Sequence, residues 1–126
     1  ELFKLVDDND LGLIAKRPIA NGAWRANENP NVHSAPTNYA EEYFRRAGIM
    51  TRLGNIINEP EDRIMTSMGY IFSFNDIDVG IIGTQNPKHL LSNIDMYSEC
   101  LKISREVISE LNRRFDEFGK NWDQRT

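Results

Sequence analysis

Val79-Gly80-Ile81-Ile82-Gly83-Thr84-Gln85-Asn86-Pro87 is the stretch on which the fold turns. Its first four residues are apolar or glycine without polar alternation, the pattern of a strand buried on both faces, as in a parallel sheet. Gly83-Thr84 closes that strand. Asn86 before Pro87 then reads as an N-cap with proline at the first helical position. The helix that follows turns Leu90, Leu91, Ile94 and Tyr97 inward. A strand feeding a capped helix offers backbone N–H groups and the positive end of a dipole, which suits a phosphate. The same residues also serve as a plain helix start.

A second apolar run without alternation, Leu11-Gly12-Leu13-Ile14-Ala15, predicts the other strand. It halts at Lys16-Arg17-Pro18, because Pro18 cannot donate to a ladder. Upstream, Leu2, Phe3, Leu5 and Val6 read as the last turns of a helix ended by Asp7-Asp8-Asn9-Asp10. Downstream, Asn21 to Asn38 is loop-like, with Gly22, Pro30 and Pro36 among polar residues. Tyr39 to Ala47 predicts a helix capped by Thr37 or Asn38 and ended by Gly48. Met50, Leu53, Ile56 and Ile57 form a further helical stripe. Pro60 is placed to open the next helix, with Glu61 and Asp62 complementing its dipole and Ile64, Met65, Met68, Ile71 and Phe72 buried. A last amphipathic helix carries Ile103, Val107, Ile108, Leu111, Phe115 and Phe118 at spacings of three and four.

Strands alternating with helices define a parallel α/β architecture. Two strands alone leave two open edges and little core, an improbable complete domain. A (β/α)8 barrel takes about 250 residues, and this chain has 126. That shortfall, and a first residue that is not Met, lead us to expect a piece of a longer protein.

Composition narrows the function. Hydrophobic residues are 40% and charged residues 27%, an ordinary globular balance. The charge of −4 and the lack of a basic stripe argue against nucleic acid as a partner. No apolar run approaches the roughly 20 residues that span a bilayer, and the N-terminus has no secretory pattern, so a cytoplasmic setting is expected. The single cysteine, Cys100, rules out an intramolecular disulfide, and a structural zinc site needs about four ligands.

Two stretches carry a family resemblance. Leu13-Ile14-Ala15-Lys16-Arg17-Pro18-Ile19-Ala20-Asn21-Gly22 resembles the seventh strand of the aldo/keto reductases and the loop after it. Phe74 to Asn93, above all Val79 to Asn93, resembles their eighth strand and cofactor helix, with Gly, a small polar residue, then a Gln, Arg or His and an Asn four residues on. Phe118-Gly119-Lys120-Asn121-Trp122 is similar to the family's C-terminal tail. The resemblance implies one incomplete domain over residues 1–126, with residues 99–126 as C-terminal helix and tail. Its fold class would be α/β, a partial (β/α)8 TIM barrel, the C-terminal portion from helix six onward, with two parallel strands and several helices.

The family reduces aldehydes and ketones by hydride transfer from a nicotinamide cofactor, without metal. The resemblance therefore implies NADP, with NAD as the alternative, and a small carbonyl substrate for the full-length protein. By position, Gly83, Thr84 and Gln85 would meet the adenosine phosphate, and His89 falls where the family has Arg or Gln. Asn93 matches the adenine-contacting Asn. Pro18, Ile19, Ala20 and Gly22 would line the pyrophosphate and nicotinamide side. The catalytic Asp, Tyr, Lys and His of the family lie on earlier strands and map nowhere here. Tyr39, Tyr43, Tyr70 and Tyr97 lie in helical patterns instead, so the 126 residues alone should be inactive. The family's ring-stacking aromatic is Lys16 here and its Ser is Arg17; either cation suits a phosphate better than a nicotinamide face. Ser92 replaces a longer Glu, and no Arg follows Thr84 nearby, which leaves Lys88 or His89 for a 2′-phosphate.

Other residues read blandly. His33 lies in a polar loop, Cys100 has no activating neighbours, and Trp24 suits a packing role as well as a substrate wall. Arg105, Arg113 and Arg114 with Glu106, Glu110 and Glu117 read as a solvated helix face. A half-barrel would expose edges and apolar faces, so self-association is expected. The alternatives are a non-enzymatic partner-binding protein on the same scaffold and an unrelated small α/β interaction domain. In the unrelated domain, the strands at Leu11 to Ala15 and Val79 to Ile82 need not be adjacent and parallel.

Overall fold

The computed structural model describes residues 2–27, 38–99 and 101–123. The chain is mixed α/β and rich in helix, with a two-stranded parallel sheet. It forms two compact units, each assembled from two separated stretches: residues 1–19 with 62–103, and 20–61 with 104–126.

The first unit holds α1 (Leu2–Asp8), β1 (Ile14–Lys16), α3 (Arg63–Ile71), β2 (Val79–Ile81) and α4 (Pro87–Ser98). β1 and β2 are adjacent and parallel, with Ile14 opposite Val79, Ala15 opposite Gly80 and Lys16 opposite Ile81. Their register is fixed at the start: Leu13 N–H donates to Asp78 Oδ2 at 2.7 Å, and the Leu13 carbonyl accepts from Asp78 and Val79 N–H at 3.0 and 3.3 Å. Side chains alternate across a strand, so Ala15 and Gly80 share one face. A Cβ at Gly80 would stand 3.0 Å from the Phe72 ring of α3, which makes glycine the residue that lets the ring close on the sheet. The opposite face carries Ile14, Val79 and Ile81, exposed at 59%, 47% and 55%.

That exposure corrects the expectation of strands buried on both faces. Among the described residues, helices cover one side. A similar correction applies to α4, where Leu90, Leu91, Ile94 and Tyr97 stay half-exposed or more and the buried residue is Asn93. The core of the unit is Val6, Met68 and Leu101, extended by Phe3 stacked on Phe74 at 5.6 Å and Phe72 edge-on to Tyr97 at 5.2 Å. α3 begins later than Pro60 predicted, because Asp62 is the cap and accepts from Ile64 N–H at 2.8 Å.

The second unit holds a 3-10 segment (Ala20–Asn27), α2 (Asn38–Thr51), α5 (Arg105–Arg114) and a π turn (Phe115–Gly119). α2 runs through Gly48, and it is Gly54, at φ 88°, that follows its end. Residues 53–57 are therefore not the second helix their apolar spacing suggested. Ala23, Ala40, Ala47, Ile56 and Val107 form the core. α5 starts on a Ser104 cap. After Arg114 the helix widens into the π turn, which leaves Phe115 and Phe118 partly exposed rather than inward. Arg114 is 4% exposed, so the reading of a wholly solvated face fails at that residue.

His33, Cys100, Pro30, Pro36 and Thr37 lie outside the described residues, as does the side chain of Trp24. Among the described residues no helix is long and apolar enough to cross a membrane.

Candidate functional site

The two parallel strands end side by side, so the residues after β1 and the residues after β2 leave the same edge of the sheet. After β1, Arg17 takes a left-handed conformation at φ 61°, uncommon for a side chain of that size. Pro18 then turns back into the unit and is buried, with Ile19 half-buried beside it. Ala20 and Gly22 belong to the second unit. With Asn21 they form three consecutive left-handed residues, at φ 47°, 56° and 71°.

After β2, Gly83, Thr84 and Gln85 are all exposed. A Cβ on Gly83 would meet nothing within 4 Å, and its φ lies outside the left-handed region, so neither packing nor backbone conformation demands glycine there. The Thr84 hydroxyl accepts from Asn86 N–H at 3.2 Å and orients the turn into α4. Asn86 Oδ1 accepts from Lys88 N–H at 3.0 Å, and the Asn86 carbonyl accepts from His89 N–H at 3.0 Å. Pro87 has no N–H. The first turn of α4 is thus closed by its own cap, and an anion at this end would meet the amides of Gly83 to Gln85 rather than those of the helix. The turn also sets Lys88 and His89 at the positive end of the dipole, with no acidic residue among them.

The structure gathers Gly83, Thr84, Gln85 and His89 at one exposed end. Asn93 stands apart from them. It is 9% exposed and lines an open groove of about 370 Å³ between α3, β2 and α4, with Met68, Phe72, Ile82, Leu90 and Tyr97. A second groove, about 440 Å³ between α3 and α4, takes in Lys88 and Ser92 beside Met65, Leu91, Asp95 and Glu99. Lys16 lies on the uncovered face of the sheet in register with Ile81.

The sequence alone assigns Asp78 no role. Its carboxylate ties the two strands together and borders the smaller groove. The available signal was an acidic residue set directly before an apolar run. Among the described residues no group of three or more His, Cys, Asp and Glu stands close enough to hold a metal. No family model, curated protein or solved structure matches the chain.

Proposed function

We propose that this chain is the C-terminal part of a (β/α)8 barrel of the aldo/keto reductase kind. It would supply half of the NAD(P)H site of a cytoplasmic enzyme that reduces aldehydes or ketones. The observation that carries the reading is the sheet. Its two strands are adjacent, parallel and covered by helices on one face, while the other face is apolar and open through Ile14, Val79 and Ile81. Two neighbouring strands cut from a barrel have this form, with helices outside and a side-chain-filled interior on the other side. In this reading the eight strands close the sheet's two edges, and the exposed isoleucines and valine become interior residues.

The residues after β2 fit a dinucleotide phosphate. Gly83 leaves its backbone bare where no internal packing requires it. Lys88 sits where the helix dipole disfavours a cation by about 0.3–1 kcal/mol, a cost that a bound anion would offset. Gly83, Thr84 and Gln85 would hold the phosphate, with Lys88 or His89 beside it. Pro18 and Ile19 would border the same strand edge, with Ala20 and Gly22 following in the loop. Asn93 would reach adenine only by opening from its groove. The cofactor would supply the hydride; these residues bind and orient it, and the proton donor lies elsewhere in the longer protein. The 126 residues alone are inactive in this reading and self-associate through the uncovered sheet.

The deciding experiment is the intact mass of the gene product from a fresh lysate, with peptide mapping of its N-terminus. Peptides upstream of Glu1 and a mass near or above twice 14.5 kDa are expected, followed by NADPH turnover on that longer chain. A natural product of 126 residues sinks the enzyme reading.

A further inference from the structure

One five-residue pattern occurs twice in the second unit: Glu42-Tyr43-Phe44-Arg45-Arg46 in α2 and Glu110-Leu111-Asn112-Arg113-Arg114 in α5. In both copies the first arginine grips the glutamate with two bonds, at 2.7 and 2.6 Å from Arg45 and at 2.8 Å for both from Arg113. In both, the second arginine donates Nε to Oε1 of the same glutamate, at 2.6 Å for Arg46 and 2.8 Å for Arg114. The glutamate works as a splint: it fixes the plane of the guanidinium and leaves its far nitrogens pointing away from the helix. In each copy one of those nitrogens finds a backbone carbonyl distant in sequence. Arg114 Nη1 donates to Met50 at 2.8 Å, and Arg46 Nη2 donates to Asp123 at 2.8 Å.

The two clamps close on different things. Arg114 is buried and ties α5 to the last turn of α2, where carbonyls have no intrahelical partner. Arg46 is more open, its side chain 18% exposed, and it holds only the short segment after the π turn. Its guanidinium also lies 5.1 Å from the centroid of the Trp122 ring. Apart from Arg46, the contacts described for that segment are Trp122 N–H to the Gly119 carbonyl at 2.9 Å and the edge of Trp122 on Phe115 at 6.2 Å. Lys120, Asn121 and Asp123 are exposed.

We propose that residues 120–123 are a releasable strap caught by Arg46, separable from the Arg114 clamp that holds α2 to α5. Opening the strap exchanges the guanidinium–indole contact, the Arg46 hydrogen bond and the Trp122 edge on Phe115 for water. Glu42 meanwhile keeps the Arg46 guanidinium aimed and ready to recapture the segment.

The test uses the whole 126-residue chain carrying 5-fluorotryptophan, with the Trp122 resonance assigned through Trp122→Phe. Amide exchange of α2 and α5 is followed alongside the fluorine spectrum. Arg46→Ala should raise the released population about tenfold, since a cation–π contact and a charge-assisted hydrogen bond are both lost, while protection of α2 and α5 is unchanged. Arg46→Lys should give an intermediate spectrum, because the charge stays but the splinted fork is gone. Arg114→Ala should lower protection in both helices. A Trp122 signal unmoved by Arg46→Ala overturns the proposal, since the turn at Gly119 would then hold the segment without a catch. So does a joint loss of Trp122 signal and helix protection in that variant, which would make Arg46 part of one inseparable core.

Discussion

The two units divide the chain almost evenly, yet they finish their surfaces differently. Most of the large hydrophobic side chains left exposed belong to the first unit: the sheet face, α1 and α4. The second unit instead has Val107 fully buried and arginines bonded to backbone carbonyls distant in sequence. The first unit leaves an apolar sheet face open, and the second exposes fewer large hydrophobic side chains, although Ile57, at 80%, is the most exposed of those described.

Four measurements test that contrast. The largest effect is expected from Arg114→Ala, which leaves the Met50 carbonyl and Glu110 without their buried partner. It should cost the second unit about 2–3 kcal/mol, read by chemical denaturation with amide exchange to locate the loss. A change spread equally over both units would erase the distinction between them. Next is Asn86→Ala in the first unit, which removes the cap of α4 and should cost about 1 kcal/mol, with exchange rising first at Lys88 and His89.

Acid should separate the units more gently. Hydrogen bonds from Arg45 and Arg46 lower the Glu42 carboxyl to about 2, and those from Arg113 and Arg114 lower Glu110 to about 2, against an ordinary 4.5. Because the folded values lie below the unfolded one, this stabilisation is complete above 4.5 and drains away as the pH falls toward 2. Between those limits the second unit should lose protection, and Glu110→Gln should flatten its pH dependence; an unchanged slope would remove Glu110 from the account. The smallest effect belongs to Ile81→Ser. In the isolated chain it should change stability by no more than about 0.5 kcal/mol while reducing self-association in sedimentation. In a longer chain whose barrel covers this face, the same change should cost about 2 kcal/mol or more.

Much of this was legible in the sequence, for reasons that differ by residue. Unbroken apolar runs located both strands, although β1 takes Ile14–Lys16 rather than Leu11 to Ala15 and so includes the lysine that was expected to end it; α4 was located by Asn86-Pro87, a local cap signal that needs no tertiary context. What periodicity could not decide was coverage: Val79 and Ile81 look buried because they are apolar, and only the sheet's neighbours determine whether anything covers them. Helix ends were misjudged where two candidates competed. Gly48 looked like a stop, but helical conformation costs glycine only about 1 kcal/mol, and the left-handed Gly54 follows the actual end. At the candidate site, Gly83 to His89 could be grouped from their order along the chain. The burial of Asn93 could not, since it depends on Phe72 and Met68 arriving from another helix. Arg114 was misread because its charge predicts water, whereas its distant carbonyl partner lies 64 residues away.

The interleaving of the two units also has a consequence in time. Each is built from an early and a late stretch, so a growing chain finishes neither in one pass. At about 5–20 residues per second, α2 is made roughly 3–10 seconds before α5 follows it. Throughout that interval the carbonyl of Met50 has no Arg114 to meet. The chain must keep α2 unclaimed by other apolar surfaces while β2 and α4 are still being made, which gives its many charged side chains a task during synthesis as well as after it.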